Sequence, residues 1–419
     1  MLTKRTWFVI IILGFLGSLA WAVENQFFNT FLYNVITPDP LAISWMVAAS
    51  AVTATLASIL IGSLSDRKKA TWGRKPFILI GYICWGIATI AFPTAAFLKP
   101  ISLAVVVAIV YDCVMTFFGS SANDSVFHAY VTDITTETNR GRVMGVLQML
   151  TWVSMLIVYG GAGLFIDKFG YFAFFYAIGG LVLILGAIAG SMLQDNRTPD
   201  EKTIQVPFLK QITSTFSEKS LRENREFFLV LLSITLWGIA EQVFFPYLMI
   251  YLNHFLKLSI TQSSILVFIA ILVGGIATAY PFGLLADHWG RKPVALLAIV
   301  LEAIGLILFS ISHNVVWLTL AGILWLAPIS GWTIATSSWV KDLFPEDKRG
   351  QFAGLVILFS VALTMIPGPM IGGWLSTTYG IPTVLDGKPG YIPTSIIFQV
   401  GGVMTLLAAI PLFMIKRRK

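Results

Sequence analysis

GSLSDRKKATWGRKP, residues Gly62 to Pro76, sets six charged side chains between Asp66 and Lys75 in a chain of which only 12% is charged. A near copy, GLLADHWGRKP, runs from Gly283 to Pro293 and matches once Lys68 to Thr71 are treated as an insertion. Two copies this far apart indicate a duplicated half. Further landmarks recur in order. Val131-Thr132-Asp133 followed by Asn139-Arg140-Gly141 matches Val340-Lys341-Asp342 followed by Lys348-Arg349-Gly350 at one spacing, as Gly163 and Gly170 match Gly373 and Gly380. Near the start, AVENQFF (Ala22 to Phe28) is echoed by IAEQVFF (Ile239 to Phe245).

The solvent of this chain is lipid. Of its 419 residues 57% are hydrophobic, and the mean hydropathy is +0.81. So few charges could not clothe a soluble protein of that length. Apolar runs able to cross about 30 Å of hydrocarbon are read at about 7–34, 41–64, 76–98, 100–132, 143–166 and 171–193. After a polar stretch they resume at about 226–252, 259–285, 294–312, 315–340, 351–378 and 391–415. The expected fold class is an all-α integral membrane protein of twelve transmembrane helices in two pseudo-symmetric halves. Its expected domains are residues 1–193, a cytoplasmic linker 194–225, and residues 226–419. Lys4 and Arg5 before an apolar run resemble a secretory signal, but the internal echo of Ala22 to Phe28 marks the segment as a retained span.

Charge placement sets the expected sidedness. With the N-terminus inside, every Lys and Arg except Lys99, Lys168, Lys257 and Lys388 falls on the inner side, including Lys416 to Lys419. The positive-inside rule then places both termini in the cytoplasm of a multi-pass plasma-membrane protein. It also accounts for the net charge of +7 without a nucleic-acid partner. Cys84 and Cys113 lie in apolar runs, which offers neither a disulfide framework nor a metal site. His128, His254, His288 and His313 are scattered outside any HExxH context, and no GxSxG is present, so an enzyme and a metal or other cofactor are not expected.

The loop G-x-L-x-D-x-x-G-R-K after the second span, repeated after the eighth, resembles the signature loop of the major facilitator superfamily. The resemblance covers the whole chain. It implies a secondary transporter that works by alternating access between its halves, as a functional monomer. The glycines Gly62 and Gly283 admit a close helix neighbour, and Asp66 and Asp287 can meet an arginine or a helix N-terminus. By the resemblance, Asp66 with Arg140 and Asp287 with Arg349 latch the halves at the cytoplasmic side. Arg67, Gly73, Arg74, Asp133, Gly290, Arg291 and Asp342 complete this gating motif. The alternative for its cations, and the favoured one for Lys68 and Lys69, is topology anchoring alone. Neutralising Asp66 or Asp287 is expected to favour inward-facing states. The insertion, ending in Gly73 to Phe77, is similar to the loop of sucrose transporters and of glycoside-pentoside-hexuronide cation symporters. Sodium-coupled members of the latter carry acids within the second helix; here Leu41 to Leu64 has none, which favours the proton over sodium.

Five acids lie inside spans: Glu24, Asp112, Asp124, Glu241 and Glu302. Ionised and unpaired at the bilayer centre, each costs a few kcal/mol, so each is a candidate for function. Glu24-Asn25 and Glu241-Gln242 hold equivalent places in helices that, by the resemblance, line a central cavity with the fourth and tenth. In the fourth span Asp112 and Asn123 share a helix face with Thr116 nearby, while Asp124 and His128 stand four apart, a spacing that lets a carboxylate and an imidazole interact. For each of these a satisfied structural hydrogen bond is the alternative, and for Glu302, in a span expected to be peripheral, it is the preferred reading. Trp21, Trp237 and Trp332 are candidate stacking faces for a sugar, or packing residues. These features point to proton-coupled symport of a sugar or glycoside, with proton-coupled export of drugs or amphiphiles as the alternative.

Overall fold

The structure, a computed structural model, describes residues 2–67, 71–194, 222–343 and 355–415. Among them are eleven helices long and apolar enough to cross a membrane. We number them α1 (Lys4–Ile36), α2 (Pro40–Asp66), α3 (Lys75–Phe97) and α4 (Ile101–Ile134), then α7 (Arg225–Phe255), α8 (Ile260–Trp289), α9 (Arg291–Ile311), α10 (Val315–Asp342), α11 (Leu355–Thr378) and α12 (Ile396–Phe413). The eleventh, Glu137–Ser191, has 55 residues. At 1.5 Å per residue it would be about 80 Å long, more than twice the hydrocarbon thickness. It breaks at Gly170, whose φ of 80° and ψ of 168° leave the helical region. A side chain resists that conformation and glycine does not. The break divides the helix into α5 (137–169) and α6 (171–191), making twelve membrane-spanning helices.

The chain forms two compact units. One comprises Met1–Pro38, Trp45–Ile204 and Val384–Pro389; the other comprises Asp39–Ser44, Gln205–Thr383 and Gly390–Lys419. The expected linker, residues 194–225, falls almost entirely outside the described residues. In the first unit the interior is aromatic: Phe28 stacks on Phe92 at 3.8 Å between centroids, and Phe175 meets both edge-on or nearly so. In the second, Phe227, Val230 and Leu231 of α7 pack with Val294, Ala298 and Ile299 of α9 and with Trp332, Ala335 and Trp339 of α10. Small residues let these helices approach. A Cβ at Gly86 would fall 2.8 Å from the Gly179 carbonyl oxygen, and one at Gly305 within 2.5 Å of the Trp325 nitrogen. Between lipid-soluble helices such contact replaces the hydrophobic drive that water would supply.

Outside the helical pattern stands a two-stranded hairpin between α11 and α12, β1 (Ile381–Leu385) and β2 (Lys388–Ile392). Asp386 and Gly387 make its turn with φ of 50° and 74°. Asp-Gly is a favoured pair for such a left-handed two-residue turn. This Asp386-Gly387 signal stands apart from the hydrophobic pattern that marks the spans.

Several spans contain π-helical turns, among them Glu24–Phe28 in α1 and Ser120–Phe127 in α4. Such turns are rare and concentrate at functional sites. Here they contain Glu24 and Asn25 in one case and Asn123 and Asp124 in the other.

Candidate functional site

In the first unit, α1 and α4 bring the predicted acids together. Thr116 donates its hydroxyl to Glu24 Oε1 at 2.9 Å. The Asp112 carboxyl adjoins Glu24 on one side and the Ser50 hydroxyl of α2 on the other. Asp112 is 2% exposed, and its Oδ1 is buried with no hydrogen-bond partner. One turn along α1, Trp21 Nε1 donates to Asp124 Oδ1 at 3.0 Å. Asn123 Nδ2 donates to the same oxygen at 2.9 Å, while its own Oδ1 accepts from the Tyr82 hydroxyl at 3.0 Å. These donors are hydroxyl, amide and indole groups. Neither Lys nor Arg is among them.

The remaining predicted residues take humbler places. Asn25 Nδ2 turns back to the Trp21 carbonyl, 2.8 Å away. His128 lies exposed beside Asp124, near enough for an electrostatic interaction but without a hydrogen bond to it. The direct carboxylate–imidazole contact that their spacing allows is therefore not made. Trp21 packs on Trp85 with ring centroids 5.1 Å apart. In that arrangement its indole serves Asp124 and a neighbouring ring.

Gly17 explains how Asn123 reaches this position. A Cβ there would collide with the Asn123 carboxamide, so glycine lets α4 press its amide against α1. Gly17→Val is expected to force Asn123 away and to destabilise the protein by about 1–3 kcal/mol. The thermal midpoint of detergent-purified protein checks this, and an unchanged midpoint would mean that the two helices separate freely.

In the second unit Glu241 stands with Glu302. Trp237 Nε1 donates to Glu302 Oε2 at 2.6 Å, and the carboxyl groups of Glu241 and Glu302 adjoin each other. Glu302 is wholly buried, on the inner face of a span whose opposite face exposes Val300, Ile304 and Ile311. As its preferred reading expects, it is hydrogen-bonded between helices. Trp237 and Trp332 stack at 5.4 Å and 26°. Trp332 is only 2% exposed, which leaves its face to Trp237. Gln242 lies against α11, where a Cβ at Gly368 would strike its Cβ. Sequence reasoning missed the partnership of Glu302 because nothing in the spacing of residues 65 positions apart, as Trp237 and Glu302 are, reveals a contact.

The repeated loops form a second constellation. Arg74, 5% exposed, pairs through Nη2 with Asp66 and through Nε with Asp133, each at 2.8 Å, and also donates to Ser65. In the other half Arg291 pairs with Asp342 and donates to the Ser338 carbonyl at 3.2 Å. Gly73 and Gly290, immediately before these arginines, both adopt positive φ, 73° and 83°. Both glycines take a left-handed φ, with and without the inserted residues, and the arginine that follows each meets the equivalent aspartate near the end of α4 or α10. Arg140 instead bonds Thr135 at 3.3 Å, and Asp287 is exposed. Gly62 does sit close to Ser125, as its small size predicts, but Gly283 faces open space. Arg349 lies outside the described residues, as do Lys68 and Lys69, and of the Arg67 side chain nothing is described.

A profile of the Major Facilitator Superfamily matches residues 6–279 and 254–419. The multidrug resistance protein MdtG of Yersinia enterocolitica is 30% identical over 196 residues, 46% of this chain and 45% of that protein. A proline/betaine transporter of Salmonella typhimurium is 31% identical over 143 residues, 33% of this chain and 28% of that one. The chain thus spans less than half the length of these curated relatives. Among solved structures, the nucleoside transporter NupG superposes with a TM-score of 0.72 at 15% identity, covering 98% of this chain and 99% of the other. A D-xylose–proton symporter does so with 0.71 at 14%, covering 97% of each. At such identities the likeness is one of fold. Twelve membrane helices, a loop motif written twice with its arginine–aspartate pair formed twice, and a profile match along the chain agree: it belongs to the Major Facilitator Superfamily.

Proposed function

We propose that this protein is a secondary transporter that carries a sugar or glycoside across the cell membrane together with protons. Its halves would alternate access to the substrate, and its termini would lie in the cytoplasm. The observation that carries this reading is the set of acids within the spans whose contacts are hydroxyls, amides, indoles and one another rather than Lys or Arg. A carboxyl group held this way can exist neutral in one state and charged in another, which a fixed cationic partner would prevent. Glu24, Asp124 and Glu241 are the proposed coupling positions, with Asp112 beside Glu24 and His128 modulating Asp124. Hydroxyl and amide groups beside them suit a polyhydroxylated substrate.

The second reading, export of drugs or amphiphiles against protons, is supported by the named activities of relatives. MdtG is described as a multidrug resistance protein, and the class H tetracycline resistance protein of Pasteurella multocida is 30% identical over 159 residues. Uptake into proteoliposomes of a panel of labelled sugars, glycosides and cationic dyes separates the two. Each is tested with a pH gradient, with a sodium gradient and with neither. Sugar accumulation that follows an inwardly directed proton gradient supports symport. Dye movement opposite to the proton supports export, and dependence on sodium alone rejects both.

A further inference from the structure

We propose that Glu241 and Glu302 form one proton-binding unit, a carboxyl pair that holds a single proton between its facing groups. This deepens the proton-coupling reading and rests on it for its role in transport, though not for its existence. Three observations meet here. The two carboxyls adjoin each other in the interior of the second unit. One oxygen of each, Glu241 Oε2 and Glu302 Oε1, is buried with no hydrogen-bond partner. Beside Glu241 stands the indole of Trp325, within reach as a donor to it and 2% exposed, whose buried Nε1 makes no well-formed hydrogen bond.

Two buried carboxylates side by side repel strongly, and one proton between them removes the repulsion while supplying the missing hydrogen bond. The orphaned oxygens are acceptors for that proton. The Trp325 N–H, within reach of Glu241, is a donor whose bond strengthens when Glu241 becomes anionic. Trp237 already holds Glu302 Oε2 at 2.6 Å. Each acid therefore has an indole donor at hand, and the pair has the means to accept a second negative charge when its proton departs to water. A metal ion is the poorer occupant. Among the described residues no group of three or more His, Cys, Asp and Glu side chains could hold one.

The surroundings contain no competing charge in the membrane interior. The ionisable groups of α9 other than Glu302 are Arg291 and Lys292 at its start. Those of α10 are Lys341 and Asp342 at its end, and α7 carries Arg225 and Glu226 at its first turn and His254 near its last. In α11 and α12, both packed on α7, no Asp, Glu, Lys, Arg or His occurs within the described helices. Tyr247 and Tyr251 are the nearby phenols, and Tyr247 is bonded to Ser44 and to the Pro40 and Pro369 carbonyls.

The test is a pH titration of carboxyl infrared bands in the reconstituted full-length protein, without substrate or gradient. Wild type, E241Q, E302Q and the double variant are compared, and subtracting the double variant isolates the pair. Two steps are expected in wild type. Each single variant should keep one step, lying more than about one pH unit below the upper wild-type step, because the neighbour's charge that raises that step is gone. If the two single variants between them reproduce both wild-type steps, one retaining the lower and the other the upper, the two acids are independent and the pair is overturned. No difference between wild type and the double variant would overturn it too, by showing no titration at all. If the glutamine variants fail to fold, W237F serves instead: it removes the donor to Glu302 and should displace both steps, and unmoved steps reject the pair. The two readings fail separately. Gradient-driven uptake with coincident steps rejects the pair alone, whereas displaced steps with pH-independent uptake reject coupling alone.

Discussion

Glu24→Gln is expected to abolish uphill accumulation of substrate driven by a pH gradient, while exchange of labelled for unlabelled substrate continues. The reason lies in what the substitution keeps and what it removes. A glutamine carbonyl can still accept the Thr116 hydroxyl that now reaches Glu24 Oε1 at 2.9 Å, and the side chain has the same length. What disappears is the ability to load and release a proton. A one-unit pH gradient supplies about 1.4 kcal/mol per proton, enough for roughly tenfold accumulation per coupled proton. The variant should therefore fall from that ratio to equality across the membrane. Counterflow needs no net proton movement and should survive, which separates lost coupling from lost folding. The same outcome is expected at the coupling position if it lies instead at Asp124 or Glu241. Accumulation that persists in all three single variants, with the wild type still responding to pH, would end the proton-coupling reading.

Arg74→Ala should cost about 3 kcal/mol of stability and Arg291→Ala less than about 1 kcal/mol, although the two arginines stand at the same place in the repeated loop. Burial makes the difference. The Arg74 side chain is 6% exposed and binds two carboxylates, with Asp133 at 26% exposure and Asp66 at 51%. Removing the cation takes from Asp133 a charge partner held on its less exposed side, where water replaces it incompletely. The Arg291 and Asp342 side chains are 34% and 58% exposed, so water can replace that ion pair. Among the contacts of Arg74, the one with Asp66 should contribute least, because half its carboxylate is already hydrated. Asp133→Asn should accordingly weaken the protein more than Asp66→Asn. Thermal midpoints of the four variants in one detergent decide this. Equal losses at Arg74 and Arg291 would show that the loops stabilise both halves alike and that burial is not the controlling quantity.

Much of the fold was legible before any coordinates. Apolar runs of membrane length are local signals, readable in a window of about 20 residues, and the duplicated loop with its recurrent Asp, Arg and Gly landmarks needs only a comparison of the sequence with itself. The glycine at 170 was legible as a repeat landmark, and its positive φ is why a 55-residue helix becomes two spans. The hairpin at residues 381–392 also had a local signal in Asp386-Gly387, overlooked because it stands apart from the hydrophobic pattern. The candidate acids could be named as well, since a carboxylate in an apolar run declares itself by cost alone.

By itself, then, the sequence determined the twelve-helix architecture, its duplication and the identity of the acids, because lipid constrains every span in the same way. The expected pairing of Asp66 was with Arg140, whereas in the structure Asp66 meets Arg74; for Arg74 and Arg291 the sequence named no partner. Only the tertiary structure decided who meets whom: Arg74 with both Asp66 and Asp133, Glu24 with Thr116 and Asp112, Asp124 with Trp21, and Glu302 with Trp237 beside Glu241. Those partnerships depend on helix rotation and on close approaches such as Gly17 against Asn123. The π-helical turns at Glu24–Phe28 and Ser120–Phe127 shift the faces of α1 and α4 away from a regular 3.6-residue wheel. A periodicity argument assumes that wheel, and so it could find the acids but not their neighbours.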